Sequence, residues 1–187
     1  MPPVFWIMGP SGSGKDSVLR FARARLTPDR KVAFAHRYIT RPSASGDENH
    51  IALSDAEFEA RRAAGLFAYD WQANGFRYGI GIEIAVWRQA GFTVVVNGSR
   101  EHFQNLQPRP PELRAVLITA SAALLGERLV GRGRESGDAI ARRLQRAADY
   151  AVDDPAVVVI ENAARLDEAG ARLLGLLHDA AGDNAAA

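Results

Sequence analysis

Residues 4 to 17 read Val4-Phe5-Trp6-Ile7-Met8-Gly9-Pro10-Ser11-Gly12-Ser13-Gly14-Lys15-Asp16-Ser17, an apolar run that breaks into a glycine-rich loop ending in lysine. Five consecutive apolar residues suit a strand buried on both faces. Gly9, Gly12 and Gly14 let the backbone adopt dihedral angles closed to other residues and approach a ligand with no Cβ in the way. Successive N–H groups of such a loop, and the start of the helix that follows, point at an anion. Lys15, one of only two lysines in the chain, adds a mobile point charge for the β and γ phosphates. The spacing of Gly9, Gly14 and Lys15 therefore predicts that the loop from Gly9 through Pro10, Ser11, Gly12, Ser13 and Gly14 to Lys15, Asp16 and Ser17 binds ATP.

One position departs from the usual loop. Asp16 stands where a Ser or Thr hydroxyl normally ligates Mg²⁺. A carboxylate is a harder magnesium ligand, and it sits favourably in the first turn of a helix. Asp16 is thus the first candidate for Mg²⁺, directly or through water. Ser17 is the alternative, by a small shift of the helix start.

The whole chain sets the outer bounds. Its 187 residues are enough for one domain with a full core. With 47 % hydrophobic and 24 % charged residues it has the composition of a globular protein. A formal net charge of +1 gives no global case for nucleic acid or a membrane surface as partner. Cysteine is absent, which excludes disulfides and thiolate chemistry. The first strand opens at residue 4, so no signal peptide is expected, and no apolar stretch approaches the length of a membrane span. A cytoplasmic location is the expectation that remains.

Apolar runs at Val4 to Met8, Val32 to Ala35, Phe92 to Val96, Leu113 to Ile118 and Val157 to Ile160 alternate with helical patterns at 15–26, 81–90, 99–106, 121–131, 138–151 and 167–180. That rhythm predicts an α/β fold, a mostly parallel buried sheet flanked by helices, of the type seen in P-loop nucleoside triphosphate hydrolases. Residues 41–80 interrupt it and read as an inserted flap. Ser54-Asp55-Ala56-Glu57 is a capping box for a short helix, and Asn74-Gly75 between two apolar runs signals a type I′ hairpin. Such a flap suits an element that closes over a substrate. Residues 126–146 carry Arg128, Arg132, Arg134, Arg142, Arg143 and Arg146 among glycines, the composition of an arginine-rich lid for phosphoryl transfer. The three tryptophans, Trp6, Trp71 and Trp87, are expected to pack in the core or hairpin, and no pair of histidines has the spacing of a zinc site.

Loop, flap and lid in this order, over nearly the whole chain, resemble the guanylate kinase group of P-loop kinases. The resemblance extends to Thr40-Arg41-Pro42, Gly75-Phe76-Arg77-Tyr78-Gly79, Arg128-Leu129-Val130-Gly131-Arg132-Gly133, Ile140 with Arg143-Leu144, and Asn162. It implies that Arg41 and Tyr78 hold the acceptor's phosphate, that Arg132 and Arg143, with Lys15, act on the transferred group, that Arg128 belongs to the ATP site, and that Asn162 lies near adenine.

The departures from that group carry the substrate expectation. A guanine-reading glutamate is expected in the flap, and the sequence has Tyr69. Aspartates are expected near the end of the middle strand, and the sequence has Val96-Asn97-Gly98-Ser99-Arg100. An arginine is expected two residues after Pro42, and the sequence has Ala44. Gly14-Lys15-Asp16-Ser17, Glu48-Asn49-His50-Ile51-Ala52-Leu53 and Ala73-Asn74-Gly75, with the Asn97 stretch, look like the ribose 1,5-bisphosphate phosphokinase family of phosphonate utilisation. This resemblance implies a sugar bisphosphate acceptor, ATP as donor and Mg²⁺. Arg37, Arg77 and Arg100 are candidate replacements for the missing arginine, and His50, Asn97 and Ser99 are further candidates for the acceptor. Two rivals stand beside this reading: a guanylate kinase or other small-molecule kinase with an altered acceptor pocket, and a non-catalytic binding module on the same scaffold. Lys15 and the arginine lid argue against the second. Oligomeric state is not legible.

Overall fold

The computed structural model describes residues 1–27, 30–42, 50–131, 145, 152–163 and 165–183. Among them the chain runs β1 (Val4–Met8), α1 (Lys15–Arg25), β2 (Val32–Phe34), β3 (Tyr38–Ile39), β4 (Ile51–Ala52), α2 (Asp55–Ala63), β5 (Phe67–Ala73), β6 (Phe76–Gly81), α3 (Glu83–Gln89), β7 (Thr93–Asn97), α4 (Arg100–Asn105), β8 (Leu113–Thr119), α5 (Ala122–Gly131), β9 (Val158–Glu161) and α6 (Leu166–Asp183).

Every residue of β1 and of β7 is buried, as an apolar run without alternation requires of central strands. The main sheet has the order β2-β7-β1-β8-β9, and all its pairings are parallel. Side-chain alternation along β1 splits its core contacts in two. Phe5 and Ile7 join Val18 and Ala22 of α1 and Leu173 and Leu177 of α6 on one side. Val4, Trp6 and Met8 join Ile39, Trp71, Tyr78 and Ile80 on the other. The main sheet is therefore covered by helices on one face and, in part, by the second sheet on the other.

That second sheet has the order β4-β3-β6-β5. Ala73 pairs with Phe76 across the turn, where Asn74 (φ 51°) and Gly75 (φ 78°) both take the left-handed region, as a type I′ turn demands. Ser54 caps α2 by accepting from the Glu57 N–H at 3.1 Å, while the Glu57 carboxylate pairs with Arg61 at 2.7 Å. The sheet extends beyond the 41–80 flap read from sequence. It begins at Tyr38, because β3 pairs with β6, and ends at Gly81.

Trp6 and Trp71 are core residues, and Trp87 packs against the same cluster. Arg88 ties α3 to the chain start, donating to the Pro2 carbonyl at 2.7 Å and pairing with Glu112 at 2.8 Å. Apart from residue 145, the expected helix at 138–151 lies outside the described residues, as does most of the 126–146 lid. Among the described residues no helix is long and apolar enough to cross a membrane.

Candidate active site

The glycine loop leaves the carboxyl end of β1, between β7 and β8. In open parallel sheets this point, where the strand order reverses, is where ligands bind. The loop is folded tightly against its surroundings. A Cβ on Gly9 would stand 2.3 Å from the Ile118 carbonyl oxygen and 2.8 Å from Ser13 Oγ, so only glycine fits. The Ser13 N–H donates to Pro10 O at 3.1 Å to close the turn. Gly14, at φ 79°, then opens α1.

Two side chains brace the loop through its carbonyls. Asn162, buried at the end of β9, donates from Nδ2 to Ser13 O at 2.7 Å, and its own backbone N–H bonds Thr119 O at 2.7 Å. A Cβ on Gly14 would lie 2.3 Å from that same Nδ2. Arg128 of α5 donates to Ala163 O at 2.9 Å and reaches Gly12 O and Ser13 O at 3.4 Å each. Both residues expected on the ATP side are thus attached to the loop, on its acceptor atoms.

Lys15 closes a ring with two partners. Its Nζ lies 2.9 Å from Asp16 Oδ1 and also donates to Asn97 Oδ1, while Asn97 Nδ2 donates to Asp16 Oδ1 at 3.1 Å. The Lys15 ammonium beside it holds the pKa of the Asp16 carboxyl down at about 2, against the opposing effect of burial. Arg37 contributes in the same direction, which places this arginine within electrostatic reach of the loop. Its guanidinium lies 5.0 Å above the Tyr78 ring, and Tyr78 stacks on Trp71 at 5.5 Å with an interplanar angle of 3°. Arg37 and Tyr78 therefore connect the flap to the loop.

Arg41 and His50 form a second unit. His50 is buried, with Nε2 3.0 Å from Arg41 O and Nδ1 3.5 Å from Arg41 Nη2. A carbonyl only accepts, so Nε2 carries the proton and the Nδ1 lone pair faces the guanidinium. Arg77 is placed otherwise. It neighbours Tyr78 on β6 and so points to the opposite face of the sheet, where it pairs with Glu59 of α2 at 2.6 Å. A depression of about 280 Å³, lined by Glu59, Arg62, Asp70, Gln72 and Arg77 among others, opens there, apart from the loop lysine.

Ser99 is committed to structure: Oγ accepts the His102 N–H at 3.3 Å to cap α4, and its carbonyl accepts from Trp6 Nε1 at 3.1 Å. Arg100 begins α4, three residues beyond Asn97. Arg132 and Arg143 lie outside the described residues. Sequence reading missed the aromatic seam between body and flap, in which Trp6 meets Tyr69 at 5.2 Å, Trp71 at 5.7 Å and His102 at 5.5 Å. The period-2 spacing of Tyr69 and Trp71 was its available signal.

A phosphate loop with its lysine at the switch point of a five-stranded parallel sheet, joined to a small β-rich flap, defines the P-loop kinase class. Guanylate kinase from Anaplasma phagocytophilum shares the fold at a TM-score of 0.65 and 16 % identity, over 95 % of this chain and 85 % of its own. No protein-family model matches the chain. Ribose 1,5-bisphosphate phosphokinase PhnN of Thiobacillus denitrificans is 51 % identical over 177 residues, 95 % of this chain and 93 % of that protein. The PhnN of Desulfomicrobium baculatum is 50 % identical over 177 residues, 95 % of each. The chain belongs to the ribose 1,5-bisphosphate phosphokinase family.

Proposed function

We propose that this protein transfers the γ-phosphoryl group of ATP to the 1-phosphate of ribose 1,5-bisphosphate, giving ADP and 5-phosphoribosyl 1-diphosphate in phosphonate catabolism. The observation that carries the reading is the family membership, 51 % identity across 95 % of the chain; the loop ring of Lys15, Asp16 and Asn97 supplies a donor site to match. The bond from the γ phosphorus to the β-side oxygen breaks and a bond to an oxygen of the 1-phosphate forms. That oxygen is already anionic near neutral pH, since a phosphate monoester loses its second proton near pH 6. No general base is required. Catalysis then reduces to bringing two polyanions together and stabilising in-line transfer.

On the donor side, the loop N–H groups and Lys15 hold the phosphates, with Arg128 and Asn162 keeping the loop in shape. An ionised carboxylate at Asp16, half exposed beside the lysine, suits a hard divalent cation, with Ser17 as the alternative ligand. Mg²⁺ bound there would neutralise charge on the β and γ phosphates. Arg132 and Arg143 complete the transition-state charge in this reading. On the acceptor side, Arg37, Arg41, His50, Tyr78 and Arg100 supply cations and donors for the two sugar phosphates. Arg77, held by Glu59, is left out. Residues 1–187 form one domain with an acceptor flap and a lid, and the protein works in the cytoplasm on a small molecule, with neither nucleic acid nor membrane as partner.

The test is a coupled assay of 5-phosphoribosyl 1-diphosphate formation from ATP, Mg²⁺ and ribose 1,5-bisphosphate. Product formation with stoichiometric ADP is expected. ATP-dependent activity on other acceptors with none on this one would overturn the reading.

A further inference from the structure

Asn97 ends β7 directly beside the strand that feeds the glycine loop. Its partner in the β1–β7 register is Ile7, and the next residue, Gly98, donates to Ile7 O at 2.8 Å. Gly98 has no room for a side chain, since a Cβ there would stand 2.1 Å from the Trp6 ring. The backbone that carries Asn97 is therefore fixed on both sides. The side chain itself is buried, at 9 % exposure.

Toward Lys15 and Asp16 its amide makes bonds of opposite polarity. An ammonium has only protons to give and a carboxylate only lone pairs, so Oδ1 faces Lys15 and Nδ2 faces Asp16 in a single orientation. A side chain that is neutral and at once acceptor and donor in a fixed plane satisfies both neighbours without changing the charge of the site. An aspartate here would put a second carboxylate about 3 Å from Asp16, and like charges that close raise the pKa of one of them. A hydroxyl at position 16 would have no carboxylate for Nδ2 to serve. The two departures from the usual pattern, Asp16 in the loop and Asn97 at the end of β7, thus explain one another.

We propose that Asn97 is a positioning residue matched to Asp16: its amide holds Lys15 and Asp16 in register, so that the lysine is presented to the donor phosphates from a fixed place. This rests on the reading of Lys15 as the donor-side lysine. It assigns Asn97 to the donor loop and not to the acceptor.

A double-mutant cycle on the full chain tests it, with Asn97→Asp, Asp16→Asn and both together, and Asn97→Leu alongside. Mg·ATP affinity is measured by calorimetry, which needs no acceptor, and kcat and KM are measured with ribose 1,5-bisphosphate. Asn97→Asp should weaken Mg·ATP binding at least about tenfold beside Asp16 but no more than about threefold beside Asn at position 16, where amide and carboxylate have only exchanged places; residues in direct contact couple in this way. Asn97→Leu should lower kcat about 10- to 100-fold with the acceptor KM within about threefold of wild type, the pattern of a lost donor-side interaction. An equal cost of Asn97→Asp in both backgrounds would overturn the proposal. So would an Asn97→Leu protein whose loss lies in the acceptor KM. Coupled Mg·ATP binding in a chain that does not phosphorylate ribose 1,5-bisphosphate would uphold the positioning role and remove only the acceptor; a wild-type chain without Mg·ATP affinity overturns both.

Discussion

Asn162 donates from its side-chain amide to the Ser13 carbonyl at 2.7 Å, with 3 % of its surface exposed. The bond links the end of β9 to the middle of the glycine loop, 149 residues away. Asn162→Leu keeps the bulk and removes the shorter of two donors, leaving the Ser13 carbonyl only the 3.4 Å contact from Arg128, at a cost of about 1 kcal/mol. Denaturant melts should show that loss, and the KM for ATP should rise as the loop loses its brace. A variant with both quantities at the wild-type value would show that the loop holds its shape unaided.

In the function proposed above, Lys15→Ala removes a charge that follows the migrating phosphoryl group. Turnover should fall by about 10²- to 10⁴-fold, the scale of other electrostatic deletions in active sites, with the fold intact by circular dichroism. More than half of wild-type turnover would refute the role given to this lysine.

The flap arginines should separate by the face on which they lie. Arg41 is bound up with the buried His50, whereas Arg77 faces Glu59 across the outer surface. Arg41→Met should raise the acceptor KM at least about tenfold, Arg132→Met should mainly lower kcat, and Arg77→Met should leave both within about twofold. Equal effects of Arg41→Met and Arg77→Met on the acceptor KM would contradict the outward placement of Arg77.

A pH dependence of stability is expected from His102 in the seam between body and flap. His102 is half-buried among Trp6, Tyr69 and Trp71, and its Nε2 has no hydrogen-bond partner among the described residues. Burial pushes its pKa below the ordinary 6.5, with Asp70 pulling the other way. The unfolded chain therefore binds this proton at a higher pH than the folded one, and unfolding takes a proton up. The contribution of neutral His102 to stability is complete above about pH 6.5, declines as the pH falls below that value, and stops declining once the folded imidazole is itself protonated. The melting temperature of wild type should drop more than that of His102→Phe between pH 7.5 and 5.5. Parallel profiles for the two proteins would remove His102 from the account.

Much of the frame is legible in the sequence because its signals are local. The run Val4 to Met8 is β1 residue for residue, and Asn74-Gly75 alone specifies the hairpin. The two-residue strands β3 and β4 carry no periodicity and emerge only from pairing with β6 and with each other, which is why the flap sheet starts earlier than composition suggests. Asn97 meets Lys15 across 82 residues, a contact that depends on the strand order of the main sheet. Placing Arg77 with Tyr78 at the acceptor conflicts with an elementary rule, since neighbours on a strand face opposite ways. The roles expected of Arg132 and Arg143 fall outside the described residues.

The acceptor can be decided by competition between two substrates on one enzyme. Where a guanine-reading carboxylate is expected, the flap has Tyr69, its ring edge-on to Trp6 at 5.2 Å, and burial raises its phenol pKa so that it stays neutral. The flap position next to it, Asp70, falls on the opposite face of β5 by strand alternation. GMP enclosed beneath this flap would find no carboxylate on the inward face at these positions, and each buried donor left unpaired costs about 1 to 3 kcal/mol. Ribose 1,5-bisphosphate has no base to satisfy, and in the function proposed above its two phosphates meet Arg37, Arg41 and Arg100. Its kcat/KM should therefore exceed that of GMP by at least about 10³-fold, the scale of discrimination when a polar recognition partner is missing. Assays at equal ATP and Mg²⁺ in which GMP matches or outruns the sugar bisphosphate would overturn the acceptor and leave the phosphate loop, Lys15 and the kinase fold standing.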